Sequence, residues 1–145
     1  MNLKTQTVTF AALFALYAGG VHADEDVHSE LDAGNQAFAA AIIAGDAGSA
    51  AAGYTDDAYV LAPGAATVRG REDIRAFWQG MIESGVKNVH IGTGEVASSG
   101  DLAYAVGTLE VTGADDTTGY ARYVLVFKRV SGEWRLHLDI WTPSM

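Results

Sequence analysis

A strongly one-sided helix, followed by strand-like sequence, constrains the fold of this chain most. Between Gly70 and Gly85 the apolar residues recur at the three- and four-residue spacing of a single helix face. They are Ile74, Phe77, Trp78, Met81 and Ile82. Gly85 is placed to end this helix as its C′ residue. Because such a face must be buried and most of the remaining chain has strand-like patterns, the sequence predicts helices packed on a sheet.

Four runs of roughly alternating polarity follow Gly85, with polar and glycine-rich turns between them. They cover residues 86–97, 102–112, 120–130 and 134–142. Two shorter strands, 58–62 and 67–69, flank the turn at Pro63 and Gly64. Short connections predict antiparallel pairing, and the length of the strands requires the sheet to curl. The predicted class is α+β, with an antiparallel curved sheet and helices on its concave face.

Capping signals mark the helices before the first strand. A possible capping box at 29–32 predicts the start of the first helix, which ends at Gly45. Asp46 is predicted to cap a short Ala-rich helix that runs up to Gly53. We interpret the polar cluster 55–57 as a turn that precedes the strand.

The first 23 residues resemble a secretory signal peptide. Lys4 is followed by an apolar run at 8–18 and by small residues that end at Ala23. The sequence therefore predicts cleavage after Ala23, a periplasmic or secreted protein and a single domain at 24–145. A retained N-terminal anchor is the alternative interpretation. No later run approaches the roughly 20 apolar residues that span a bilayer, so no membrane partner is predicted.

Charge and composition restrict the partners further. The net charge is −9 and the basic residues are scattered, which argues against nucleic acid as a partner. The chain has no cysteine, its histidines lack metal-ligand spacing, and no glycine-rich phosphate loop is present. We therefore predict neither a metal nor another cofactor.

Alternation divides the last strand into an apolar face and a polar face. One face carries Trp134, Leu136, Leu138 and Ile140, and the other carries Arg135, His137, Asp139 and Trp141. The polar face suits either solvent or a lined pocket. The apolar face, left uncovered by helices, predicts a second subunit. The expected homodimer surface carries Leu125, Phe127, Leu136 and Leu138.

Two longer motifs resemble a known family. They are AGD, YTDDAYVLAPG and GREDIRAFW between Ala44 and Trp78, and VFKRVSGEWRLHLDIW from Val126 to Trp141. Both resemble SnoaL-like members of the nuclear transport factor 2-like superfamily, which also includes ketosteroid isomerase. The resemblance implies a cone-shaped curved sheet closed by three helices, a pocket inside the cone and a dimer through the outer sheet face.

The resemblance also bears on the isomerase reaction, which needs a carboxylate base and an oxyanion hole made by a Tyr and a protonated Asp. Matching the motifs puts Ala62 at the base position and Phe38 and Val124 at the two oxyanion positions. None of these side chains can perform that chemistry, so steroid isomerisation by this mechanism is not predicted. Tyr54 and Trp78 match the polar and aromatic groups that support the family's pocket.

The candidate site follows from the resemblance together with strand alternation. The candidate catalytic pair is Asp139 and His137, because a carboxylate beside an imidazole can transfer protons. The candidate ligand-binding residues are Tyr54, Trp78, Arg122, Trp141 and Phe38. The structural alternative is that Asp139 pairs with Arg122 or Arg135 and that His137 is a wall residue.

Three functions stay open at this point. The chain could be an exported pocket protein that binds a small apolar or aromatic molecule. It could be an acid–base enzyme, such as an isomerase, dehydratase or hydrolase, that uses Asp139 and His137. It could also be a dimerising module whose pocket has no ligand. The fold does not decide between them.

Overall fold

The computed structural model describes residues 20–144. Within these residues, three helices precede or interrupt a sheet of six strands. The helices are α1 (Gly20–Ile43), α2 (Ala47–Ala52) and α3 (Arg71–Glu83). The strands are β1 (Tyr54–Leu61), β2 (Val68–Arg69), β3 (Asn88–Ser99), β4 (Leu102–Thr112), β5 (Thr118–Val130) and β6 (Glu133–Pro143). The predicted α+β class is confirmed, and the four long strands lie within three residues of their predicted bounds.

The strand order is β2-β1-β6-β5-β4-β3, so β2 and β3 are the two edges of an unclosed sheet. The prediction of a purely antiparallel sheet is wrong in one pairing, because β1 runs parallel to β6. Residues 62–132 separate these two strands, and no hairpin dictates their relative direction. The sheet is therefore mixed, and all its other pairings are antiparallel.

The two short-range helix predictions are confirmed. The Asp46 side chain accepts a hydrogen bond from the backbone N–H of Ser49 at 2.9 Å, which caps α2. Beyond α3, Gly85 has a φ of +95°, the left-handed conformation expected of a C′ glycine. Ile74 and Trp78 are the buried residues of this helix.

Two local predictions are wrong. Helix α1 already extends from Gly20, so 29–32 lies inside it, because the buried stripe continues upstream through Leu31 to Val27. The polar cluster 55–57 belongs to β1 rather than to a turn. The predicted signal peptide falls mostly outside the described residues, and its last four residues, 20–23, form the start of α1.

The helices cover one face of the sheet, and the core lies between the helices and that face. Leu31, Tyr54, Val60 and Ile74 are its largest fully buried side chains. Only a glycine fits at position 107 of β4, since a Cβ there would lie 2.1 Å from the Gly92 carbonyl oxygen and 2.3 Å from the Tyr123 hydroxyl oxygen. Within the described residues no helix is long and apolar enough to cross a membrane.

A β-bulge interrupts the pairing of β5 with β6. Val126 pairs with Leu138 and Phe127 pairs with Leu136, so His137 is an extra residue on β6. A bulge of this kind changes which face the following side chains occupy. This extra residue decides which side chains of β6 lie on the face covered by the helices.

Candidate ligand pocket

A cavity of about 270 Å³ lies between the helices and the concave face of the sheet. All three tryptophans of the chain line it. Its other aromatic lining residues are Phe38, Tyr54, Tyr123 and Phe127. The exposed lining residues, Gly34, Ala37, Ser49 and Gly53, belong to α1 and to the α2 region, so the mouth of the pocket opens there.

The aromatic rings of the pocket pack against one another. Trp78 of α3 and Trp141 of β6 stack with ring centroids 5.9 Å apart and an interplanar angle of 26°. Phe38 of α1 meets Trp78 edge-on, with centroids 5.0 Å apart. The helix face predicted from the sequence therefore supplies one wall of a cavity as well as part of the core.

Asp139 is the buried carboxyl group of this pocket. It is 7% exposed, and its Oδ2 accepts a hydrogen bond from the Tyr54 hydroxyl at 2.6 Å. The Trp78 indole Nε1 donates to the same hydroxyl oxygen at 3.2 Å. Loss of solvation on burial raises the pKa of Asp139 to about 6, against the opposing effect of the Tyr54 hydrogen bond.

Tyr54 is a donor fixed by its surroundings. It is 1% exposed, and burial together with the neighbouring Asp139 carboxylate raises its pKa well above the usual value for a tyrosine. The hydroxyl therefore keeps its proton and directs it at Asp139. Tyr54, Trp78 and Asp139 form one hydrogen-bonded chain from α3 through β1 to β6.

The structural alternative for Asp139, an ion pair with an arginine, is wrong. Arg122 is exposed on the outer face of β5, the face opposite the helices. Arg135 bonds the Ala52 carbonyl oxygen and the Glu133 carboxylate. The partner of Asp139 is Tyr54, and Arg122 does not line the pocket.

The structure separates His137 from Asp139, contrary to the expectation that they share a face. Trp134 and Leu136 line the pocket before the bulge, and Asp139 and Trp141 line it after the bulge. His137 does not line the pocket. Its Nδ1 lies 2.9 Å from the Thr55 Oγ1 and 3.5 Å from the Asp57 Oδ1, on the other side of the sheet. These two groups cannot act together on one ligand.

The three residues at the positions that match the isomerase's catalytic groups do not lie together in one site. Phe38 lines the pocket, whereas Val124 is 41% exposed on the outer face and Ala62 is not a lining residue. Three of the expected dimer residues also lie on the pocket face, Leu136 because of the bulge and the two β5 residues because their cross-strand partners on β6 line the cavity. Leu125, Phe127 and Leu136 line the pocket rather than the outer face.

A second polar group, missed in the sequence, lies on α1. The Asn35 side chain is 5% exposed, lines the pocket and donates from Nδ2 to the Thr93 Oγ1 at 3.0 Å. The Tyr123 hydroxyl beside it donates to the Gly92 carbonyl oxygen at 3.1 Å. The sequence signal for Asn35 was its position on the buried stripe of α1, four residues after Leu31.

Five of the seven residues predicted for the site line this pocket. They are Phe38, Tyr54, Trp78, Asp139 and Trp141. Their roles in binding or catalysis stay predictions. In the part of the chain that the structure describes, no group of three His, Asp or Glu side chains is arranged to hold a metal ion.

A curved mixed sheet that holds a pocket against three helices defines an α+β protein of the nuclear transport factor 2-like fold. Solved structures of this fold superpose on most of the chain. A nuclear transport factor 2-like protein of unknown function from Pseudomonas putida has 21% identity and a TM-score of 0.70, with 81% of this chain and 87% of that chain covered. A ketosteroid isomerase-like protein from Erwinia carotovora has 19% identity and a TM-score of 0.70, with 81% and 95% covered.

The family is established by sequence. The SnoaL-like domain profile matches residues 35–137, and the chain belongs to this SnoaL-like family. No curated protein matches the chain. The solved structures share too little sequence identity to indicate more than the fold.

Proposed function

We propose that this protein binds a compact, mostly aromatic or apolar small molecule in the pocket. The observation that carries the proposal is the cavity of about 270 Å³, lined by aromatic side chains and containing one buried carboxyl group. Small-molecule sites are typically apolar clefts of roughly 300 Å³ or more with a few fixed polar groups. The small volume here favours a ligand of one or two rings.

The polar groups would orient such a ligand. Asp139 is fixed by Tyr54, and Asn35 is fixed by Thr93, so both present a defined position to the cavity. Groups held by their own hydrogen bonds lose little freedom when a ligand binds. The walls between them, such as Leu125 and Ile91, are apolar.

A second candidate function is acid–base catalysis by Asp139 without His137. A carboxyl group with a pKa of about 6 can both accept and release a proton near neutral pH. For an isomerase or dehydratase, Asp139 would transfer the proton, and Tyr54 would hold the carboxyl group in place. The Asp139→Asn variant should then lose turnover of any substrate found while it still binds that substrate.

We propose a homodimer through the outer face of the sheet. Two rows of apolar side chains cross β4, β5 and β6 there. The rows are Tyr104, Val126 and Leu138, and Val106, Val124 and Ile140. Four of these residues are more than a third exposed, and a neighbouring subunit would cover them.

Export is also proposed, on the sequence pattern alone. The apolar run and the small residues that end at Ala23 support cleavage after that residue. N-terminal sequencing of protein from the producing cell is expected to find Asp24 first. A major species that starts at Met1 would contradict export by this route.

The binding proposal is tested with a neutral aromatic probe, 2-naphthylmethanol. Calorimetry should show saturable binding of this probe with one site per chain. A hundredfold excess over Kd should stabilise the folded protein by about 2.7 kcal/mol in thermal unfolding. The proposal would be contradicted if millimolar probe gave no binding signal and no shift in Tm.

A further inference from the structure

We infer that the ligand of this pocket carries a protonated amine that pairs with Asp139, attached to a compact aromatic body. This inference rests on the proposed binding function and deepens it by naming a chemical class. Four features support it: a carboxyl group with one free oxygen, no cation facing it among the described residues, an aromatic lining and an acidic protein.

The first feature is the incomplete set of partners at Asp139. Its Oδ2 accepts the Tyr54 hydroxyl hydrogen bond, and its Oδ1 has no hydrogen-bond partner among the described residues. None of the salt bridges in the described part of the chain includes Asp139. A buried carboxylate without a cation is unfavourable, so a cation supplied by a ligand gains more here than at the surface.

The second feature is the set of groups that face Asp139 from the neighbouring elements. Tyr54 faces it from β1, Trp78 lies behind Tyr54 on α3, and Tyr123 on β5 is close enough to respond to its charge. From α1, Asn35 lines the cavity. The charge of Asp32, also on α1, adds to the effect of burial in raising the pKa of Tyr123. On β6 itself, Arg135 and His137 bond groups outside the pocket. All the groups of the described residues that face Asp139 are neutral or acidic.

The third feature is the aromatic lining around this carboxyl group. Phe38, Trp78, Tyr123 and Trp141 line the same cavity as Asp139. Aromatic rings attract ammonium groups within about 6 Å of their centroids, and more strongly where water is excluded. A neutral hydroxyl group could occupy the same position, but it would gain neither the ion pair with Asp139 nor the attraction of the rings.

The fourth feature is the charge of the whole chain. The net charge of −9 raises the local concentration of cations and lowers that of anions. It acts in the same direction as Asp139 and disfavours a carboxylate or phosphate ligand.

The test compares two probes of nearly equal shape, 2-naphthylmethylamine and 2-naphthylmethanol, by calorimetry on the full chain at pH 7.5. The amine should bind about tenfold to a hundredfold more tightly, the usual gain of a charge-assisted hydrogen bond. A primary amine stays protonated down to pH 5, whereas Asp139 gains a proton below about pH 6. The affinity for the amine should therefore fall as the pH is lowered to 5, and the affinity for the alcohol should not.

Two variants locate the effect. Asp139→Asn keeps the shape of the side chain and should bring the two affinities within about twofold. Asp101→Asn removes the same charge from an exposed turn outside the pocket and should leave the preference intact. Equal loss of the preference in both variants would show a long-range charge effect and overturn the inference.

The remaining outcomes separate the inference from the function on which it rests. Equal affinity of the unmodified protein for amine and alcohol would overturn the amine inference and leave the pocket function standing. Failure of both probes to bind at millimolar concentration would overturn both.

Discussion

Asp139 keeps a carboxyl group where a charge is costly. The group is buried, has one hydrogen-bond donor and lacks a cationic partner among the described residues. A folded-state pKa of about 6, against a usual 3.8, means that the folded chain binds a proton more tightly than the unfolded chain does. Folding is therefore disfavoured by deprotonation at this residue.

This sign predicts how stability depends on pH. The contribution of Asp139 is fully favourable below about pH 4 and is lost as the pH rises through about 6, at a cost of about 3 kcal/mol. Asp139→Asn should thus be more stable than the unmodified protein by about 1 to 3 kcal/mol at pH 7.5. The difference should vanish near pH 4. Urea unfolding of both proteins from pH 4 to 8 measures it, and a variant that is less stable at pH 7.5 would contradict the account.

Single residues were predicted unevenly from the sequence. Phe38, Tyr54, Trp78 and Trp141 line the cavity, and the family resemblance or the helix periodicity had indicated each of them. Asn35 was missed because a lone polar residue on a buried stripe has no motif of its own. The partner of Asp139 was missed because Tyr54 reaches it across 85 positions of sequence.

At the scale of elements, β6 shows why alternation alone misplaces side chains. The residues Leu136, His137, Leu138 and Asp139 alternate regularly, and no glycine or proline marks an extra residue. The bulge becomes visible only in the pairing with β5. It puts Asp139 and Trp141 in the cavity, leaves His137 outside it and brings Leu136 inside.

Helix α3 was predicted closely because its signals are local. Its periodic face and its terminal glycine need no information from the sheet. The glycine also has a packing role, since a Cβ at Gly85 would lie 2.8 Å from the Cβ of Ala114.

Two alanine substitutions, one within this helix and one just beyond its end, should have opposite effects. Gly85→Ala should destabilise the protein by about 1 to 3 kcal/mol, because it forces a φ of +95° on a non-glycine residue and creates a clash. Gly80→Ala, in the same helix with no atom within 4 Å of the added Cβ, should stabilise it by about 0.5 to 1 kcal/mol. Chemical denaturation measures both, and equal effects would contradict the assigned helix end.

At the scale of the whole molecule, the sequence predicted the layers but missed one pairing direction. The meander of β3 to β6 follows from short connections, which local patterns reveal. The parallel pairing of β1 with β6 joins distant parts of the chain, and no turn chemistry reports it. The outer face was misassigned at Leu136 because of the bulge, and at Leu125 and Phe127 because alternation alone does not show which face of β5 the helices cover.

The proposed dimer can be tested on the corrected outer face. Val124→Lys should give monomers with unchanged circular dichroism, because this residue is already 41% exposed within one chain and lies at the centre of the apolar rows. Gln79→Lys, an exposed position on α3, is the matched control and should stay dimeric. Light scattering at micromolar concentration distinguishes these states, and a monomeric unmodified protein would contradict the proposal.

The central claim, a ligand pocket that opens beside α1, is tested most directly by closing its mouth. Gly34 lines the pocket, and a Cβ added there meets no atom within 4 Å. Gly34→Leu adds a large side chain to a residue of the mouth without a steric clash at its Cβ, and Gly80→Leu makes the same change on α3 away from the pocket. The measurement is the Kd of 2-naphthylmethanol by calorimetry. We predict at least a tenfold weaker Kd for Gly34→Leu, with an unchanged or higher Tm, and an unchanged Kd for Gly80→Leu. Binding by Gly34→Leu as tight as that of the unmodified protein would contradict the assignment of this cavity as the binding site.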